Sequence, residues 1–159
     1  MRYSGLKQIK SIELANWILF KYGPMSHLKL QKMAFYSEAY HLAYTDEPLT
    51  DGEFEAWVHG PVNREIYNHF KGQASLYGDV KCSNANAYKT FKKLVSIQQE
   101  ILLDVNDTLN TWTALELETA THKEIPWQSA RDGYRPEERC ERVISKELMS
   151  EYYKAEING

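Results

Sequence analysis

The chain has 159 residues, a formal net charge of -3, and a composition that is 43% hydrophobic and 13% aromatic. This length and apolar share suffice for one core of ordinary size and exclude a disordered chain, while the slight acidity gives no global attraction to phosphate or anionic lipid. Cys82 and Cys140 have no paired spacing, which fits a reducing, cytoplasmic setting better than a disulfide framework.

The N-terminal stretch MRYSGLKQIK has no apolar h-region, and no apolar run approaches the roughly 18 residues that a spanning helix requires, so no membrane partner is expected. Ser11 reads as the N-cap of a helix through Tyr22, ended by Gly23-Pro24. Ser26 caps a longer helix over about 27–44. In it Leu30, Met33, Ala34, Ser37, His41 and Tyr44 form one row, and Leu28, Phe35, Tyr36, Ala39, Leu42 and Ala43 a second. Two apolar rows predict a central helix enclosed by its neighbours, with Lys29, Lys32 and Glu38 as the face left to solvent. Asp46-Glu47-Pro48 stops it and Thr50-Asp51-Gly52 makes a second turn.

The period then changes. Phe54, Ala56 and Val58 alternate with Glu55, Trp57 and His59, a short strand that needs a partner, near Val80 or Val143-Ile144. Pro61 fits the first position of a helix running to Lys71, with Val62, Ile66 and Phe70 as its apolar face. Residues 72–86 read as loop. A helical register from Ala87 to Leu109 is expected to break at Val95-Ser96. Thr113 with Glu116 forms a capping box, Pro126 restarts a helix that carries Trp127, and Ser145 caps a last helix docking through Leu148, Met149, Tyr152 and Tyr153. The fold class expected is mainly α: a compact single domain of about six to seven helices with a short β element near residues 53–59.

The sequence offers little catalytic chemistry. His27, His41, His59, His69 and His122 show no HxxxH or HExxH spacing, the cysteines show no CxxC, and the glycines form no phosphate loop, so no metal or cofactor is expected. Glu116 and Glu118 stand two apart on a helix and point to different faces, a poor geometry for paired acid/base work. Lys71, Lys81, Lys89, Lys92 and Lys93 make a basic stretch against Asp79 alone, but acidic residues from Glu100 to Glu124 reverse the sign directly afterwards. Trp57, His59, Tyr67, His122 and Trp127 lie at or beside element ends, where an amphipathic ring can anchor a protein interface. The competing reading places the tryptophans in the core, the histidines as satisfied half-buried groups, and Lys29 and Lys32 on a solvated helix face.

The series LQKMAFYSEAYHLAYTDEPL, EAWVHGPV, REIYNHF and TALELETATHKEIPWQSA resembles the Panacea domain of SocA-like antitoxins and related prophage-encoded proteins, in order from about Ser11 to Ala130, with 143–153 resembling the closing segment. Its sharpest pieces are Leu30-Gln31-Lys32, Glu55-Ala56-Trp57 with Gly60-Pro61-Val62, and Thr121-His122 with Pro126-Trp127. Two departures stand out: Met33-Ala34-Phe35-Tyr36 replaces a more leucine-rich run, and Asn110-Thr111-Trp112 occupies a place where a Tyr-Gly turn is common. The resemblance implies one Panacea-like domain over 1–159, with a motif-bearing core at about 11–153. It further implies a non-catalytic antitoxin that neutralises a cognate toxin by direct binding, or an adaptor that presents a toxin to a cellular protease. Leu30, Gln31, Tyr36, Gly60, Pro61, Val62, Thr121 and Pro126 are then framework residues. Lys29, Lys32, Trp57, His59, Tyr67, His122 and Trp127 are the candidate partner-binding residues, and toxin choice is expected in loops such as 72–86. The alternative is an enzyme or nucleic-acid binder using His59, His122 and the 71–93 stretch.

Overall fold

The computed structural model describes residues 3–159 and has a mainly α architecture with two small antiparallel sheets. Helix α1 spans Ser11–Tyr22 and α2 His27–Thr45; β2 (Phe54–Trp57) and β3 (Gly60–Asn63) form a hairpin, followed by α3 (Arg64–Phe70). The chain continues through α4 (Tyr88–Lys93), α5 (Ser96–Leu109), α6 (Ala114–His122), α7 (Ile125–Ala130) and α8 (Lys146–Asn158). Strand β1 (Met25–Ser26) pairs with β4 (Asp79–Val80). Eight helices are present among the described residues, close to the six or seven expected, with the short α4 and α7 separate as the break at Val95-Ser96 and the restart at Pro126 imply.

Helix α2 is the axis of the molecule. Sixteen of its 19 residues are buried, so almost no solvent face exists and its polar side chains must be satisfied inside. Here the expectation for Lys32 and Glu38 is corrected: both are fully enclosed, and of the three only Lys29 stays partly exposed. The reason is that neighbours cover α2 all the way round. The hairpin and α6 close over Lys32, while the 46–52 loop and the start of α8 close over Glu38. Tyr44, assigned to a buried row, is 45% exposed.

Each buried polar group on α2 ties down a different element. Gln31 accepts from the Asn63 amide at 2.8 Å, Lys32 donates to the Pro61 carbonyl at 3.0 Å, and Ser37 accepts from Asn106 at 2.9 Å. Glu38 accepts from the Leu49 and Thr50 amides and the Thr50 hydroxyl at 2.6, 3.0 and 2.6 Å, with Lys146 Nζ at 3.7 Å. His27 donates from Nδ1 to Ala74 and His41 from Nδ1 to Glu47. Their Nε2 atoms accept from Gln31 and Gln98, an arrangement that holds both rings neutral, and burial depresses both pKa values to match.

The strand expected over Phe54 to His59 is real, with Phe54 and Ala56 buried and Glu55 and Trp57 half-buried. Its partner is the next segment, with Trp57 opposite Gly60 and Phe54 opposite Asn63. On its other edge the expected pairing with Val143-Ile144 also forms, through Ala56 N to Arg142 O at 2.8 Å and Ile144 N to Phe54 O at 2.7 Å. Val80 pairs instead with Met25. Pro61 is therefore corrected from helix start to strand: it sits opposite Ala56, and the helix begins at Arg64 with Asn63 as cap, its Oδ1 accepting from the Ile66 amide at 3.0 Å. Ser11 is the first residue of α1 rather than its cap. Ser26, Thr113 and Ser145 cap as expected, and the break at Val95 is present.

Candidate functional site

The β2–β3 turn places Val58 and His59 at the surface and delivers the chain into Gly60 at φ +105. A Cβ at this position would lie 2.5 Å from Lys32 Cε and 2.9 Å from Thr121 Oγ1, so only glycine lets the strand approach α2 and α6 this closely. Lys32 sits directly beneath. Burial pushes its pKa down to about 7, opposed by the charge of Glu118.

On the outer side of the hairpin, Trp57 donates to Glu55 at 3.0 Å, and Arg64 holds the same carboxylate through two nitrogens at 3.0 and 2.8 Å. Burial pushes the Glu55 carboxyl up, but these bonds outweigh it and keep the group below its ordinary value. The Arg64 guanidinium lies 5.4 Å from the Trp57 ring, whose edge meets Tyr67 at 5.0 Å; Tyr67 in turn stacks on His27 at 5.3 Å. Trp57, His59, Arg64, Tyr67, Leu76 and Cys140 line an open cleft of about 320 Å³.

Behind the turn, His59 Nδ1 stands 3.3 Å from Glu118, and His122 stacks on Trp127 at 4.1 Å. Trp127 donates its indole N–H to the Trp57 carbonyl at 2.8 Å, and Arg131 donates to the Ala56 carbonyl at 2.8 Å. Burial lowers the His122 pKa, and its Nε2 is buried with no hydrogen-bond partner among the described residues.

The structure thus brings Lys32, Trp57, His59, Tyr67, His122 and Trp127 to one corner, with Gly60, Pro61, Thr121 and Pro126 as its frame. Trp57, His59 and Tyr67 face the cleft, whereas Lys32 and Trp127 are enclosed and support it from behind. Leu30 and Val62 are core, and Gln31 fastens the end of β3. Lys29 lies apart, donating to the Asn110 carbonyl at 2.8 Å, and Tyr36 faces a different cleft on the far side of α6. Sequence reasoning missed Glu118, Arg64 and Arg131. The i, i+4 spacing of Glu118 to His122 and of Trp127 to Arg131 is the signal that marks two of them. A rigid aromatic surface with a fixed arginine has the side-chain types that are enriched where proteins recognise one another.

The family model described as "Antitoxin SocA-like, Panacea domain" matches residues 30–128, more than half of the chain. The chain belongs to this family of SocA-like antitoxins. Among curated proteins it is similar to Antitoxin SocA of Caulobacter vibrioides, 37% identical over 54 residues that cover 34% of this chain and 29% of that protein. The match therefore spans less than a third of the relative's length. No solved structure matches. The Panacea domain match takes in α2 from Leu30 onward, the hairpin and α6, which carry the corner; Cys140 and Glu141 on the cleft rim and all of α8 lie beyond it.

Proposed function

We propose that this chain is an antitoxin that neutralises a cognate toxin protein by binding it directly through the cleft beside the 54–63 hairpin. Membership of the SocA-like family supports the antitoxin role, and the convergence of Trp57, His59, Arg64 and Tyr67 on one exposed cleft carries the assignment of the surface. Aromatic and arginine side chains held in place before binding lose little entropy when a partner docks. Neutralisation by binding needs no catalysis and no cofactor. The chain meets its toxin in the cytoplasm, where the free thiols of Cys82 and Cys140 remain reduced; among the described residues no helix is long and apolar enough to cross a membrane.

Co-expression with the toxin encoded beside it tests the proposal. Growth should be rescued and the two proteins should co-purify, with both effects lost in Trp57→Ala; absence of rescue and of a complex from the unaltered chain would overturn it. Direct neutralisation also leaves the toxin's half-life unchanged. A half-life that shortens in the presence of the chain would assign it instead to presenting the toxin to a protease.

A further inference from the structure

Helix α6 separates two surfaces. Glu118, Thr121 and His122 face the hairpin, whereas Glu116, Thr119, Ala120 and Lys123 line a groove on the other side, bounded by α2, α5 and α8. Two adjoining cavities of about 320 and 570 Å³ make up this groove and share Trp112, Ala120 and Glu124. Its walls are Tyr36, Tyr40 and Tyr44 from α2 and Val105 and Leu109 from α5. At its rim Tyr44, Trp112 and Leu115 are 45%, 39% and 69% exposed, an unpartnered aromatic and apolar lip.

Glu124 lies at its centre. Tyr36 and Tyr153 each donate a hydroxyl to Glu124 Oε1 at 2.7 Å, and among the described residues Oε2 takes no hydrogen bond. The tyrosine rings are clustered, Tyr36 to Tyr40 at 6.2 Å and Tyr40 to Tyr153 at 5.3 Å. Asp104, Glu116 and Glu124 line the groove against one cation, Lys123. Aromatic faces around a carboxylate attract a cation, and the excess of negative charge repels a phosphate backbone.

We propose that this groove docks a basic segment of a partner protein, placing a lysine or arginine head among the tyrosines beside Glu124 and apolar neighbours against Trp112 and Leu115. The two cavities in series provide for a chain rather than a single small cation, and the apolar lip provides for residues on either side of the charge. This surface is separate from the hairpin cleft and stands whether or not that cleft binds a toxin.

The test titrates the full chain with a capped leucine–arginine–leucine–arginine–leucine peptide and with its glutamate counterpart, following the indole N–H resonances of Trp112 and Trp57 by NMR. The arginine peptide should move the Trp112 signal saturably, leave Trp57 unmoved, and bind more weakly as salt rises. Tyr44→Ala, at an exposed position, and Glu124→Gln, which keeps an acceptor for both tyrosines, should each weaken binding roughly fivefold or more while melting of Tyr44→Ala stays unchanged. Equal binding of the glutamate peptide, movement of Trp57 instead of Trp112, or no saturable shift would overturn the proposal. Capped arginine alone binding as tightly as the peptide would overturn the assignment to a segment.

Discussion

Lys32 is where burial and charge are most directly opposed. Its ammonium is fully enclosed and donates to the Pro61 carbonyl. An unfolded chain holds this proton up to the ordinary lysine value of 10.5, whereas the folded chain releases it near 7. Between those values the unfolded state binds more protons, so the folding free energy improves as pH rises, by up to about 1.4 kcal/mol per pH unit. Urea titrations at about pH 7, 8 and 9 should show the unaltered protein gaining on Lys32→Met across the series; a constant difference would refute the buried ammonium. The sequence did not disclose this burial, because Lys29, Lys32 and Glu38 together imitate a solvated face and the groups that enclose them lie 11 to 108 residues away, Leu49 and Lys146 being the extremes, both around Glu38. Gly60 makes the same point by shape. Gly60→Ala adds a methyl against Lys32 and Thr121 at a strained φ, and should cost about 3 kcal/mol, read as a fall in the melting temperature.

Among the elements, most of those signalled by local chemistry were legible, while tertiary pairing was legible only in part: Val143-Ile144 was expected beside β2 and β3 was not. Thr113 and Glu116 form the capping box that their spacing announces, at 3.1 and 2.9 Å, and Thr113→Ala should cost about 1 kcal/mol. The alternating burial of β2 was readable because period 2 survives in the side chains themselves. Pro61 misled because a proline after glycine suits a helix start and a strand equally, and only the ladder with Ala56 decides between them. The true cap, Asn63, also donates to Ser11 at 3.0 Å, which joins α3 to α1. Asn63→Ala should therefore cost about 2 kcal/mol, more than the loss of a cap alone, and should unfold the whole protein in one transition rather than fray α3.

Across the whole molecule, the two surfaces flanking α6 rest on the same helix from opposite sides. Binding at one should be separable from binding at the other: Trp57→Ala should abolish the proposed toxin capture and leave the Trp112 response to the arginine peptide intact, and a joint loss would mean that the variant disturbs α6 itself. The composition of the corner was legible, since the motif residues carry it. Its second rank, Glu118, Arg64 and Arg131, was not, because a charged residue on a short helix or loop looks the same in sequence whether it meets solvent or a tryptophan ring.

The packing of α2 against α8 sets a timetable for synthesis. Phe35, Tyr36 and Tyr40 are covered by Tyr153, and Leu42 accepts from Ser150, more than a hundred residues downstream. A ribosome adding about 5–20 residues per second leaves that aromatic row bare for on the order of ten seconds after α2 is made. A nascent chain halted before Lys146 should be cut within α2 by a protease that spares the finished protein. The core of the chain is complete only when its last helix closes over its second.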